Sequence, residues 1–113
     1  MKEIRAIIRM SRLQATKKAL EDAGFTPLTV LPVFGRGRQK GFIHEPMENS
    51  QNTRFIPKRM ILIVVKDGDL ERVVELIIHS NRTGNPGDGK IFINDISEAI
   101  RIRTLEKGET SII

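Results

Sequence analysis

Residues 83–93 read Thr83-Gly84-Asn85-Pro86-Gly87-Asp88-Gly89-Lys90-Ile91-Phe92-Ile93, where a helical pattern of apolar residues ends, a glycine-rich loop follows and a strand begins. The glycines can adopt positive φ angles without steric cost, so that successive backbone N–H groups can converge on an anion beside Lys90. The composition is equally typical of a plain Asp-Gly turn. A Walker loop needs Ser or Thr after the lysine, whereas Ile91 stands there. Loop composition alone therefore favours the turn.

A buried strand and an amphipathic helix precede this loop. The run Met60-Ile61-Leu62-Ile63-Val64-Val65 is continuously apolar, which is typical of a central strand covered on both faces. Asp67-Gly68-Asp69 then opens a helix, with its aspartates as capping and dipole residues. The apolar residues of this helix follow the spacing i, i+3, i+4, i+7, i+8 and share one face. They are Leu70, Val73, Val74, Ile77 and Ile78.

The first third of the chain shows the same order of strand and helix. Residues 4–10 alternate as in a strand with one buried face. Ser11-Arg12-Leu13-Gln14 fits a capping box at the start of a helix, and Gly24 supplies a left-handed stop. A second β-rich run follows over residues 28–34, where Pro32 marks an edge or a bend.

The elements form two successive βαβ units. This order predicts one α+β domain over residues 1–113 with a ferredoxin-like fold, in which both helices cover one face of a four-stranded antiparallel sheet. Alternation over Ile100-Arg101-Ile102-Arg103-Thr104 adds an extra C-terminal strand, and residues 106–113 look like a loose tail. Residues 36–54 have no periodicity and are too long for a casual connection, which indicates a functional loop. We expect other copies of the chain to bury the open sheet face in a closed cyclic oligomer.

The composition is that of an ordinary soluble protein and excludes several functions. A net charge of +5 raises nucleic acid as a partner, but five Phe with no Tyr or Trp leave little material for stacking on bases. No apolar run approaches the ~20 residues of a membrane span, and there is no cysteine. We therefore expect a cytoplasmic protein that binds no nucleic acid and does not insert into membranes. His44 and His79 are isolated, and no nucleophile–base pair, acid pair or metal cluster is visible, so an enzyme is not expected.

Four separated motifs resemble the PII family of nitrogen-regulatory signal proteins. They are Gly35-x-Gly37-Arg38-Gln39-Lys40-Gly41, Phe55-x-Pro57-Lys58, the segment from Thr83 to Phe92, and residues 100–104. They cover nearly the whole chain in the right order. The resemblance implies a homotrimer, or a trimer shared with a paralogue, that binds ATP or ADP between subunits and 2-oxoglutarate with Mg-ATP. The long loop, about residues 36–54, would regulate other proteins.

The resemblance also implies roles for single residues. Those that would offer backbone N–H groups to the nucleotide are Gly87, Asp88 and Gly89. Those that would hold the phosphates are Gly37, Arg38, Lys90, Arg101 and Arg103. The adenine pocket would be lined by Thr29 and Val64. The 2-oxoglutarate site would comprise Gln39, Lys40, Gly41 and Lys58. Within that site, Lys58 would bind the distal carboxylate and Gln39 a Mg²⁺ ion that the keto acid also coordinates.

The chain departs from the family pattern in two places. It contains no tyrosine, so its loop cannot be uridylylated as in many bacterial members, and Arg36 stands where many relatives have an aromatic residue. Residues 56–59 and 81–90 are more similar to the branch associated with nitrogenase control. The resemblance therefore implies nitrogenase as the target, with an ammonium transporter or glutamine synthetase as the alternative.

Simpler interpretations stay open for individual residues and for the whole domain. The stem of Lys58 could lie along the start of its strand, with the ammonium group in solvent. Arg101 and Arg103 share one strand face, which by itself indicates a solvated polar edge. A ferredoxin-like fold fixes no function, so a small-anion or nucleic-acid-binding module is the alternative from outside the family.

Overall fold

A computed structural model describes residues 1–37 and 54–113 of the chain. The predicted order of strands and helices is confirmed over these residues. The elements in chain order are β1 (Lys2–Arg9), α1 (Leu13–Asp22), β2 (Thr29–Gly35), β3 (Ile56–Val65), α2 (Leu70–Asn81) and β4 (Lys90–Asp95). Short 3-10 turns precede each helix, over Met10–Arg12 and Asp67–Asp69, and a third covers Gly108–Ile112.

The four strands form one antiparallel sheet in the order β2-β3-β1-β4. In β1 every second residue is buried, namely Ile4, Ala6 and Ile8. The register places Ile4 beside Ile63 of β3 and Ile93 of β4, so one face of the sheet is continuously apolar. This arrangement confirms the α+β, ferredoxin-like fold class.

Both helices contribute to the single apolar core on that face. Leu20 of α1 and Val73 and Ile77 of α2 are almost fully buried against the strand residues. In the predicted stripe of α2, Leu70 and Val74 pack at the margin of the core, whereas Ile78 is 44% exposed. The stripe is thus narrower than the sequence pattern indicated.

The predicted capping box at the start of α1 is wrong. Residues 10–12 form a 3-10 turn, so Ser11 lies inside the turn and no side chain caps the helix. Arg12 instead donates from Nε to the Ser80 carbonyl oxygen at 2.7 Å, near the last turn of α2. The guanidinium group therefore satisfies a carbonyl near the C-terminal end of α2, whereas the backbone of Arg12 immediately precedes α1. The stop at Gly24 is confirmed, with φ of 92°.

The extra C-terminal strand predicted over residues 100–104 is also wrong. Among residues 96–113, all of which are described, Ile100 makes only an isolated bridge to Lys107. The amide of Arg101 donates to the Glu106 carbonyl oxygen at 2.9 Å, and that of Leu105 to the Arg101 carbonyl oxygen at 2.8 Å. These local hydrogen bonds fold the segment back on itself. The backbone groups that they use are therefore not available to pair with an edge strand of the sheet. The following residues, predicted to be a loose tail, form the 3-10 turn over Gly108–Ile112.

The second face of the sheet carries apolar residues that neither helix covers. They alternate with the core residues along all four strands, and each is half-buried or exposed in the single chain. The set comprises Ile7, Leu31, Met60, Leu62, Val64 and Phe92. We call this surface the open face. The prediction that residues 60–65 are apolar on both faces is confirmed. No helix among residues 1–37 and 54–113 has the length and apolarity needed to cross a membrane.

Candidate functional site

The glycine-rich loop connects the end of α2 to β4. Its three glycines have positive φ angles, 90° at Gly84, 99° at Gly87 and 106° at Gly89, as the sequence predicted. Gly89 also lies very close to β1, since a Cβ atom added there would stand 1.9 Å from the Ile7 carbonyl oxygen. The loop is therefore packed directly on the sheet backbone at a position that only glycine can occupy.

The carboxylate of Asp88 ties the loop to itself and to β1. It accepts hydrogen bonds from the Thr83 amide at 2.8 Å, the Thr83 hydroxyl at 2.6 Å and the Gly84 amide at 2.9 Å. Arg9 at the end of β1 adds a salt bridge at 2.6 Å. The bonds from Thr83 and Arg9 hold the pKa of the Asp88 carboxyl well below its usual range. The side chain of Asp88 thus holds the loop in place. The family resemblance implied a role only for the backbone N–H group of Asp88.

Two cations hold successive carbonyl groups of the loop. Arg9 donates to the Pro86 carbonyl oxygen at 2.9 Å, and Lys58 donates from Nζ to the Gly87 carbonyl oxygen at 2.8 Å. In a trans peptide the N–H points away from the preceding C=O. The N–H groups of Gly87 and Asp88 are therefore turned away from these two cations.

Lys58 is unusual for a lysine because it is only 8% exposed. Burial lowers the pKa of its ammonium group, and the positive charge of Arg9 lowers it further. The alternative in which its charged end simply reaches solvent is therefore wrong for this structure. A buried ammonium group beside a second cation is a favourable site for an added carboxylate or phosphate.

A cavity of about 340 Å³ lies beside the glycine loop. It brings together five of the residues that sequence reasoning proposed, from β3, β4 and the two loops. They are Gly37, Lys58, Gly87, Gly89 and Lys90. The guanidinium group of Arg36 lines the same cavity and stacks on Phe55, 5.2 Å from the ring centre. The cavity thus combines the backbone of the glycine loop with cationic side chains, a combination suited to an anion.

Three other predicted residues meet at the far end of the sheet. Thr29, Val64 and Arg101 line a second cavity of about 430 Å³ together with the C-terminal residues Ser111–Ile113. Six residues of extended strand separate Lys58 from Val64 along β3, which corresponds to ~20 Å. Within one chain the predicted nucleotide residues therefore fall into two separate groups. Arg103 lines neither cavity and is exposed in the turn after Arg101.

Some predicted residues fall outside the part of the chain that the structure describes. These are Arg38, Gln39, Lys40 and Gly41, together with most of the proposed loop. Conversely, sequence reasoning missed the anchoring roles of Arg9 and the Thr83 hydroxyl. Arg9 is separated from Asp88 by 79 positions along the chain. The alternating pattern of β1 identified Arg9 only as a polar residue of a strand.

The described residues contain no cluster of three or more His, Asp or Glu side chains that could hold a metal ion. Around the first cavity the described charged side chains are cationic, and the Asp88 carboxylate is already bound to Arg9 and Thr83. These residues do not fit a Mg²⁺ ion by themselves. The proposed metal contact rests on Gln39, which lies outside the described residues.

Comparisons with known proteins agree with the fold. The family model described as nitrogen regulatory protein P-II matches residues 1–106. The chain is 48% identical to "Nitrogen fixation nifHD region GlnB-like protein 2" of Methanobacterium ivanovii, covering 100% of both chains. It is 49% identical to "Nitrogen fixation nifHD region GlnB-like protein 1" of Methanothermobacter marburgensis, over 96% of this chain and 99% of the relative.

A solved structure supports the same assignment. The crystal structure of Arabidopsis thaliana PII bound to citrate superimposes with a TM-score of 0.80 at 35% sequence identity, covering 98% of this chain and 88% of the other. The names of the relatives confirm the predicted similarity to the nitrogenase-associated branch. The chain belongs to the family of nitrogen regulatory proteins P-II.

Proposed function

We propose that this chain is a signal protein for nitrogen and energy status that binds ATP or ADP and 2-oxoglutarate and regulates a target protein, without being an enzyme. It would act in the cytoplasm as one domain over residues 1–113. Membership of the P-II family supports the regulatory role. The observation that supports the nucleotide proposal is the cavity that the glycine loop lines together with Lys90.

The nucleotide site is proposed to be shared between copies of the chain in a trimer. The glycine loop and the group of Thr29, Val64 and Arg101 lie at opposite ends of β3, so one chain does not bring them to one place. The open face between them carries apolar residues, among them Phe92, which is 50% exposed. Burying that face against another copy would remove apolar surface from water and could bring one copy's loop to another copy's Arg101 and Arg103.

The phosphate chemistry follows from the charges around the loop. Lys90 and the amides of Gly87, Asp88 and Gly89 would bind phosphate oxygens, as would Gly37 and Arg38. Thr29 and Val64 would contact the adenine base. Several charge-assisted bonds are needed here because a polyphosphate loses strong hydration on binding. The proposed arginines supply planar forks suited to phosphate oxygens.

The 2-oxoglutarate site is proposed to lie next to the phosphates. The ammonium group of Lys58 is buried at the cavity and donates to the Gly87 carbonyl oxygen. The distal carboxylate of 2-oxoglutarate would replace that carbonyl oxygen as the acceptor. Gln39, Lys40 and Gly41 would complete the site, with the amide oxygen of Gln39 on a Mg²⁺ ion. The ion would screen the charges of the phosphates and keto acid that it joins.

Isothermal titration calorimetry tests the proposal. The wild-type protein is expected to bind ATP and ADP, with 2-oxoglutarate altering the ATP titration only when Mg²⁺ is present. Replacement of Arg101 and Arg103 together by Ala should weaken ATP by roughly 100-fold, because several charge-assisted bonds disappear. Arg72→Ala, at an exposed position of α2, is the matched control. Unchanged ATP affinity in the double variant would refute the phosphate assignment.

The output is proposed to be the loop over about residues 36–54, and the target a nitrogenase component. The nifHD-region names of the relatives support that choice over an ammonium transporter or glutamine synthetase. Binding of the purified protein to each candidate should depend on the nucleotide and on 2-oxoglutarate. A variant with residues 43–53 replaced by a short Gly-Ser bridge should lose target binding while it keeps ADP binding. Retention of regulated target binding would place the contact elsewhere.

A further inference from the structure

Arg101, one of the arginines proposed to bind phosphate, is already engaged by its own chain. Its Nη1 group forms a salt bridge with Glu106 at 3.0 Å. Its Nη2 group donates to the Thr110 carbonyl oxygen at 3.0 Å and to a main-chain oxygen of Ile113 at 2.6 Å. Residues 108–113, which we call the tail, therefore supply two acceptors to one nitrogen atom.

Occupation of Nη2 matters because of the shape of a guanidinium group. Arginine can bind a phosphate bidentately through Nε and Nη2 along its side, or through Nη1 and Nη2 across its end. Both arrangements require a hydrogen of Nη2, which carries two. In Arg101 the Nη2 group donates to two oxygen atoms of the tail. While the tail is in place, a ligand must compete with these two acceptors for Nη2 in either bidentate arrangement.

The tail also lies at the cavity that holds the proposed adenine residues. Ser111, Ile112 and Ile113 line that cavity with Thr29 and Val64. The tail is attached to the turn before it by local bonds, including that from the Gly108 amide to the Ala99 carbonyl oxygen at 3.0 Å. Its last residue, Ile113, is 70% exposed. A short segment with few buried apolar contacts can detach at little cost in free energy.

We propose that the tail is an autoinhibitory cap, which mimics the acceptor oxygens of a polyphosphate on Arg101 and must leave when a nucleotide binds. This inference rests on the proposed nucleotide site. The Thr110 carbonyl oxygen carries only partial charge, and a polyphosphate presents several anionic oxygens at once, so a polyphosphate competes for the guanidinium group. The cap thereby raises the nucleotide concentration at which Arg101 is engaged.

Calorimetric titrations with ADP and ATP test the cap in the otherwise intact protein. One variant lacks residues 110–113 and so loses both acceptors. A second, Glu106→Gln, keeps the tail but removes the charge opposite Nη1. The control is Glu109→Gln, which makes the same charge change at an exposed tail residue. We expect the dissociation constant to fall roughly tenfold in the shortened protein and about threefold in E106Q, with no change in the control.

Amide hydrogen exchange of the wild-type protein gives a readout that does not depend on a folded variant. Addition of ATP should accelerate exchange in residues 110–113, because the cap leaves Arg101. Slower or unchanged exchange there overturns the proposal, as does weaker or unchanged nucleotide binding by the shortened protein and E106Q. If wild type and both variants bind no nucleotide at all, the proposed function itself is refuted, which is a separate outcome.

Discussion

Arg9 and Asp88 join the end of β1 to the glycine loop through a salt bridge of 2.6 Å between side chains 79 positions apart. The same guanidinium group also holds the Pro86 carbonyl oxygen. The loop geometry therefore depends on one strand residue and one loop carboxylate, in addition to the glycines. This pair connects the stability of the fold with the orientation of the proposed anion-binding amides.

Replacing Asp88 by Asn should loosen the loop and weaken ADP roughly tenfold, because the charge-assisted bond from Arg9 is lost. It should also change the dependence of stability on pH. The pKa of Asp88 is lowered from its usual value of 3.8 in the folded state. Its carboxylate therefore stabilises the fold at pH values above the unfolded pKa, and this contribution is lost as the pH falls through the folded pKa.

Urea unfolding of wild type and D88N at several pH values measures this effect. The difference in unfolding free energy should be largest near pH 7 and should shrink progressively below about pH 4. Asp22→Asn, which removes only an exposed pair with Lys18 on α1, is the matched control and should show little difference at any pH. An equal D88N deficit at pH 7 and pH 2.5 would contradict the assigned carboxylate role.

Gly89→Ala should destabilise the protein by about 3 kcal/mol, because a left-handed residue acquires a Cβ atom that collides with the Ile7 carbonyl oxygen. Substitutions at two other glycines separate the effect of the positive φ angle from the effect of the steric collision. Gly84 has positive φ but open space, so G84A should cost about 1 kcal/mol. Gly68 has neither constraint, so G68A should be neutral or stabilising by about 0.5 kcal/mol. Denaturant unfolding of the three variants should give this order, and equal losses for G89A and G84A would argue against the close approach.

The fold could be predicted because its signals are local. The alternation in β1 and the helical spacing in α2 each lie within about a dozen residues, and tertiary packing reinforced both. The capping box failed because the turn at Met10–Arg12 changed the local backbone. The strand at residues 100–104 failed because alternation does not specify a pairing partner, and Ile102 in that segment is 92% exposed.

The candidate site was only partly predictable for a different reason. Glycine permits the positive φ angles of Gly87 and Gly89, so composition predicted a turn or loop at this position, but by itself it favoured a plain turn over an anion-binding loop. The contact of Arg9 with Asp88 and that of Lys58 with Gly87 join distant parts of the chain and leave no local pattern. The geometry of these two contacts depends on which strands are neighbours in the folded sheet, and local sequence patterns do not specify that order.

Lys58→Met should abolish the response to 2-oxoglutarate while changing ADP affinity by less than about threefold. The ammonium group proposed for the distal carboxylate disappears, but Arg9 still holds the Pro86 carbonyl oxygen and Asp88. Lys66→Met, at an exposed residue just after β3, is the control. Titrations of ATP with and without the keto acid measure both effects. Equal loss of ADP and 2-oxoglutarate binding would show that Lys58 serves chiefly to hold the loop.

Met60→Glu should dissociate the proposed trimer. Met60 lies between Leu31 and Ile7 across the open face, so a carboxylate there would be buried without a partner on assembly. Ile78→Glu changes an apolar residue of α2 that is 44% exposed and lies outside the open face, and it should leave assembly intact. Light scattering coupled to size exclusion should give three chain masses for wild type and I78E, and one for M60E. A trimeric M60E would show that the open face is not the interface.

Mixed assemblies should reveal whether each nucleotide site is built from two copies. Lys90→Ala removes the cation beside the glycine loop. The double variant with Arg101→Ala and Arg103→Ala removes the arginines proposed to come from a neighbouring copy. Each variant alone should bind ATP weakly. When the two are unfolded together and refolded as a mixture, random assortment in a cyclic assembly should restore roughly one quarter of the clefts, since those combine two intact groups. Calorimetry of the mixture should then show a subset of sites with wild-type affinity. If each site lay within a single chain, mixing would restore none, because every chain carries one defect.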